Sequence, residues 1–158
     1  MSTLGFERHD HKHCIRDAVQ AAEDLCAARG LRFTDLRRRV LELVWQSHRP
    51  VGAYELLDLI KAERGGAAPP TVYRALDFLL ENGLIHRIES LNAFVGCNHP
   101  DAPHAAQFLI CSKCRRVAEL SDDGLARRIT SRAAGAGFVP ERQTLEVIGT
   151  CEDCAAPS

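Results

Sequence analysis

The chain has 158 residues, 46% of them hydrophobic and 26% charged, with a formal net charge of -1. That length carries one ordinary domain or two small ones, and a charge so near zero announces no polyanionic partner. No apolar run approaches the roughly 18 residues of a membrane helix, and Met1-Ser2-Thr3-Leu4-Gly5 lacks the features of a secretion signal, so the expected location is the cytoplasm, where thiols stay reduced.

Residues 1–14 are polar and His-rich, and disorder is expected there. Within them, His9-Asp10-His11-Lys12-His13-Cys14 reads either as an accessory metal-gathering element or as a loose tail that binds weakly. A helix is predicted from about Ile15 to Arg29, with Val19, Ala22, Leu25, Cys26 and Ala28 on its period and Gly30 at its end. Thr34 reads as the N-cap of a second helix, with Arg37 three residues on, where a capping box would have Glu or Gln. That helix holds Val40, Leu41, Val44 and Trp45 and stops before Pro50. The six arginines from Arg29 to Arg49 outnumber Asp35 and Glu42. They read as a patch that could follow DNA phosphates or as a solvated helix face, and charge alone favours the face.

A third helix is predicted from about Ala53 to Glu63, its apolar face Leu56, Leu57, Leu59 and Ile60, closed by Gly65-Gly66. Pro69-Pro70 opens a fourth, since proline suits the first helical turn. Val72, Leu76, Leu79 and Leu80 form its buried stripe, Asn82-Gly83 ends it, and Thr71, Tyr73, Arg74 and Asp77 are left facing outward. Two β runs follow, Leu84 to Glu89 and Asn92 to Cys97, with a turn at Ser90-Leu91-Asn92. Three helices and a hairpin in this order make a winged helix-turn-helix, whose last helix enters the major groove of double-stranded DNA. Beyond it, strands are predicted at Phe108 to Cys111, Arg115 to Leu120 and Gln143 to Gly149, with a helix from Leu125 to Ala136. The fold class is therefore α+β: a disordered tail at 1–14, a winged-helix domain at 15–90, a hinge at 91–98, and a small α/β domain at 99–158 for dimerisation and metal binding.

Cys111-Ser-Lys-Cys114 and Cys151-Glu-Asp-Cys154 are two Cys-x-x-Cys pairs far apart in sequence. Four thiolates so arranged are the ligands of a closed tetrahedral structural zinc site. A redox dithiol would need only one such pair near a βαβ unit, and paired disulfides would need an oxidising compartment.

Pro70-Thr71-Val72-Tyr73-Arg74-Ala75-Leu76 followed by the paired Cys-x-x-Cys motifs resembles the ferric uptake regulator family of metal-sensing repressors. The likeness runs from about Ala21 to Cys154. The stretch from Pro69 to Glu81, with Ala53-Tyr54-Glu55-Leu56-Leu57-Asp58-Leu59, is most similar to its zinc uptake branch. The resemblance places a sensing site on His86, Cys97, His104 and Glu119, a sound tetrahedral zinc set of one thiolate, two imidazoles and one carboxylate. His99 competes with His104 for that role, while Cys14 and Cys26 are read as non-ligands. About two zinc ions per chain are thus implied, one structural and one regulatory.

The implied activity is zinc-responsive repression by a homodimer on an inverted-repeat operator, controlling zinc uptake and homeostasis genes. Tyr73 and Arg74 are the candidates for base and phosphate contact. Tyr54 as a purine contact and Arg37 as a backbone contact carry over by resemblance. Asp58 and Lys61 read either as a pair between two dimers on one operator or as a plain surface pair. Iron-type members carry a dense His-x-His cluster before the first Cys-x-x-Cys, whereas His104-Ala105-Ala106-Gln107-Phe108-Leu109-Ile110 has one histidine. That favours zinc over an iron, manganese or peroxide sensor. An enzyme is not expected: a zinc hydrolase keeps one coordination position open, and here all four are filled.

Overall fold

In the computed structural model, which describes residues 6, 11–46, 49–66, 68–100 and 104–157, the chain divides into two units. One is Arg8–Ala102, the other Pro103–Ser158 with Met1–Glu7.

The first unit is built around α2 (Asp35–Trp45), which packs against α1 (His11–Arg29), α3 (Ala53–Arg64) and α4 (Pro69–Glu81). Thr34 caps α2 as expected, its hydroxyl accepting from the Arg37 N–H at 3.3 Å. Val40, Leu41, Leu43 and Val44 of α2 meet Leu56 and Ile60 of α3 and Val72, Ala75, Leu76 and Leu79 of α4 in one core. Each such fully buried Val, Leu or Ile contributes about 1.5–3 kcal/mol. Ala28 and Leu59, expected inside, are exposed instead, because each points away from α2 on its own helix. Gly65 takes a left-handed φ of 59° that closes α3, and its N–H bonds the Lys61 carbonyl. The Asn82 amide donates to the Phe78 carbonyl at 2.9 Å and its oxygen accepts from Arg29 at 3.3 Å, tying the ends of α4 and α1 together.

The helix α1 begins at His11, not Ile15, so His11–Cys14 are helical where a disordered tail was expected. Nothing in this stretch breaks a helix, and His13 and Asp17 pair one turn apart at 3.5 Å. His9, Asp10 and the His11 side chain, part of the metal-gathering reading, lie outside the described residues.

The wing is a three-stranded antiparallel sheet in the order β1 (Val51–Gly52), β3 (Ala93–Gly96), β2 (Ile85–Ile88). Its register pairs Val51 with Phe94 and His86 with Val95. Within the stretch expected as a hinge at 91–98, Ala93–Gly96 form β3, with Ala93 and Phe94 paired on both sides and Val95 and Gly96 on β2, and the division between units falls after Ala102. Gly96 allows the indole of Trp45 to lie against the strand. A Cβ there would stand 2.1 Å from Trp45 Cε2. Gly96→Ala is therefore expected to destabilise the first unit by about 1–3 kcal/mol, read as a lowered thermal midpoint by circular dichroism.

The second unit has a mixed sheet ordered β5 (Val117–Glu119), β4 (Ala106–Cys111), β6 (Thr144–Gly149). The central strand β4 runs antiparallel to β5 and parallel to β6. Phe108, Ile110, Val117 and Ala118 form its apolar centre. Between β5 and β6 runs α5 (Asp123–Gly135), two residues earlier than expected because Asp122 caps it, accepting from the Leu125 N–H at 2.9 Å. The buried Gln107 side chain anchors that cap, donating to the Asp122 carbonyl at 3.0 Å and accepting its N–H at 3.2 Å. A last helical turn, α6 (Glu152–Ala155), follows β6.

Candidate metal centres and DNA-facing surface

Cys111 ends β4, Cys114 closes the turn after it, Cys151 caps α6, and Cys154 lies one turn further on. The turns that present the sulfurs are held by the Arg115 N–H on the Cys111 carbonyl (2.9 Å) and the Ala155 N–H on the Cys151 carbonyl (2.9 Å). Ser112 joins the two halves, its N–H reaching the Gly149 carbonyl at 2.8 Å. The four sulfurs all lie within 4.8 Å of one another, and those of Cys114 and Cys151 are 3.7 Å apart. An ion with metal–sulfur bonds of about 2.3 Å sets tetrahedral sulfurs about 3.8 Å apart, whereas a disulfide would join them at about 2.0 Å. The cysteines are free, and the geometry fits zinc.

Their acidities also fit a cation. Backbone N–H groups of Cys114 and Cys151 pull the Cys111 thiol down to about 5. Burial opposes ionisation of Cys114, yet hydrogen bonding from Arg116 brings it below the usual thiol range. Cys154, hydrogen-bonded by Cys151 and desolvated, is pushed up to about 12. Four crowded sulfurs do not ionise together without a compensating charge, which a divalent ion supplies.

The second ligand set divides by unit. In the first unit His86 sits on β2, and one of its ring nitrogens lies within 4.8 Å of the sulfur of buried Cys97, just past β3. The Cys97 N–H is fixed on the Leu84 carbonyl at 3.1 Å. In the second unit His104 Nε2 and Glu119 Oε1 share a hydrogen bond of 2.6 Å, with the Glu119 side chain buried at the end of β5. His104 contacts the Glu119 carboxylate, and His99 is exposed.

On the first unit Tyr54 is 79% and Tyr73 40% exposed, and Thr71, Arg74 and Asp77 are exposed beside Tyr73 on α4. Tyr73 therefore does not serve the core. Arg37, expected to contact the DNA backbone, stacks its guanidinium 3.7 Å from the centre of the Phe78 ring and donates to the Arg32 carbonyl. Neighbouring arginines are also engaged within the unit, Arg38 with Glu23 and Arg39 with Glu42 (2.9 Å) and Glu63 (2.5 Å). Arg37, Arg38 and Arg39, in the stretch that read as a possible phosphate-following patch or, on charge alone, a solvated face, thus staple α2 to α1, α3 and α4. Asp58 and Lys61 are exposed on α3, and among the described residues they form no ion pair with each other.

The ferric uptake regulator family profile matches residues 28–148, most of both units. The chain belongs to the ferric uptake regulator family. Among relatives of this family member, the zinc uptake regulation protein of Escherichia coli (strain K12) is 39% identical over 144 residues, covering 90% of this chain and 84% of that protein. The crystal structure of holo XcZur is 51% identical with a TM-score of 0.82, covering 88% of this chain and 97% of that one. A zinc uptake regulator complexed with zinc and DNA is 39% identical with a TM-score of 0.84, covering 89% of this chain and 94% of that one. In this family member Cys151 and Cys154 lie past the matched residues, so the four-sulfur site rests on its own geometry.

Proposed function

We propose that this protein is a zinc-responsive transcriptional repressor, acting in the cytoplasm as a homodimer on an inverted-repeat operator and controlling zinc uptake and homeostasis genes. What supports the reading is the pairing, in the helix-and-wing unit, of the His86 ring with the Cys97 sulfur beside the wing, donors of the kind zinc prefers, alongside the His104–Glu119 pair of the other unit. The likeness to a zinc uptake regulator complexed with zinc and DNA supports it.

Cys111, Cys114, Cys151 and Cys154 hold a permanent structural zinc. His86 and Cys97 with His104 and Glu119 form the regulatory site. A zinc ion held there would meet thiolate, imidazole and carboxylate donors of the kind it prefers. Because the two pairs belong to different units, their sharing one ion ties the units together and favours the arrangement that binds DNA, by the differential affinity of the two states. Tyr73, Arg74 and Thr71 read the groove from α4, while Tyr54 contacts a base from α3. Asp58 and Lys61 join neighbouring dimers where two occupy one operator. The homodimer forms along the second unit: β6 pairs with β4 on one side, its Val147 and Ile148 (62%) are exposed, and so are Phe138 and Val139 in the loop before it. Burying such apolar area is what an obligate dimer needs.

Metal selectivity tests the function. Titrating zinc, iron and manganese against a fluorescent operator duplex should show tight binding with zinc alone. Restoration by iron or manganese only would move the protein to another sensor class within the family. For the dimer, Ile148→Asp is expected to give monomers by analytical ultracentrifugation, with DNA affinity lowered at least about tenfold as paired half-site binding is lost.

A further inference from the structure

Arg116 follows the first Cys-x-x-Cys and is not a ligand, yet its guanidinium reaches sulfurs of the four-sulfur cluster. Its Nε donates to Cys114 Sγ at 3.4 Å, and one terminal nitrogen donates to Cys151 Sγ at 3.5 Å. The same nitrogen reaches Asp153 at 2.6 Å, and the other donates to the Phe6 carbonyl at 3.2 Å. The Phe6 ring lies 5.9 Å from the guanidinium. The side chain is 20% exposed, so these contacts form at the rim of the cluster rather than in open water. The guanidinium thus spans one sulfur from each Cys-x-x-Cys, and a carboxylate on α6 holds it there.

We infer that Arg116 is a positioning residue that locks the structural zinc site, slowing exchange and attack at its sulfurs. Four thiolates on a divalent ion leave a formal charge of about -2. A rigid guanidinium fork donating to two of them offsets part of that charge and withdraws electron density from the sulfurs that a competing chelator or electrophile would reach. Lysine offers a point charge without the fork. The cluster's N–H donors from the backbone would remain in any case, so the effect of Arg116 is separable from the fold of the turn.

The inference rests on reading Cys111, Cys114, Cys151 and Cys154 as a zinc site. Zinc-loaded full-length protein would be mixed with excess chromogenic chelator and the slowly released zinc followed. Arg116→Met is expected to release it about tenfold faster, with Arg116→Lys between the two. In cobalt-substituted protein the sulfur-to-cobalt charge-transfer band of Arg116→Met should move to longer wavelength, a signature that loss of packing alone would not give. Should Arg116→Met not fold, Asp153→Asn, which frees the guanidinium from its anchor, should also speed release. Equal rates and unshifted bands in folded variants would overturn the role of Arg116. A wild-type protein with no tightly held zinc would instead overturn the site itself.

Discussion

Replacing Cys111 with serine is expected to cost the protein its tightly held zinc and, with it, the ordered second unit and the dimer. That unit has little else to hold it. Neither α5 nor β6 contains a fully buried residue, and its apolar centre comes from β4 and β5. Small domains of this kind are marginal on core burial alone, whereas structural zinc contributes on the order of 10 kcal/mol of folding free energy. Cys111 also accepts the Cys151 N–H at 3.4 Å, so its sulfur joins the β4 turn to α6 even before an ion is counted. The first unit has its own core around α2 and should keep its helices. Circular dichroism, zinc content and sedimentation together read the outcome: a helical, zinc-poor monomer. A folded dimer retaining its tight zinc would show that the four sulfurs are not structural.

Cys97→Ser and His104→Ala are expected to do the opposite, sparing fold and dimer while removing the response to zinc. Each takes one donor from a different unit. Serine keeps the volume of buried Cys97 while giving up the soft thiolate that zinc favours. Alanine at 104 removes an imidazole and leaves Glu119 in place. With three donors the site binds weakly, so the operator affinity gained on adding zinc should fall about 10–100-fold, the range of ordinary allosteric couplings. Anisotropy of an operator duplex against buffered free zinc measures it. A normal zinc midpoint in either variant would remove these residues from the switch.

Much of this was legible because the signals are local. Pro69-Pro70 and Asn82-Gly83 bracket α4, and Thr34 sits where a cap must. The paired Cys-x-x-Cys spacing fits one tetrahedral ion, and the four sulfurs converge as expected. What was not legible depends on partners distant in sequence. Two residues, Val51 and Gly52, carry no strand periodicity and become β1 only by pairing with β3. Arg37, Arg38 and Arg39 read as a solvated face or a phosphate-following patch until Phe78, Glu23 and Glu63 are seen beside them. Arg116 looked like part of a strand, and only the return of α6 to the β4 turn gives it two sulfurs to hold. The Asp122 cap was visible in principle, as Asp ahead of an apolar period.

The most direct test is the zinc content of purified protein before and after mild chelation, with operator binding followed in the same samples. About two zinc ions per chain are expected, one stripped readily with loss of DNA binding and regained with it, the other retained. A single tight zinc, with DNA binding indifferent to chelation or restored by iron or manganese but not by zinc, would contradict a zinc-operated switch.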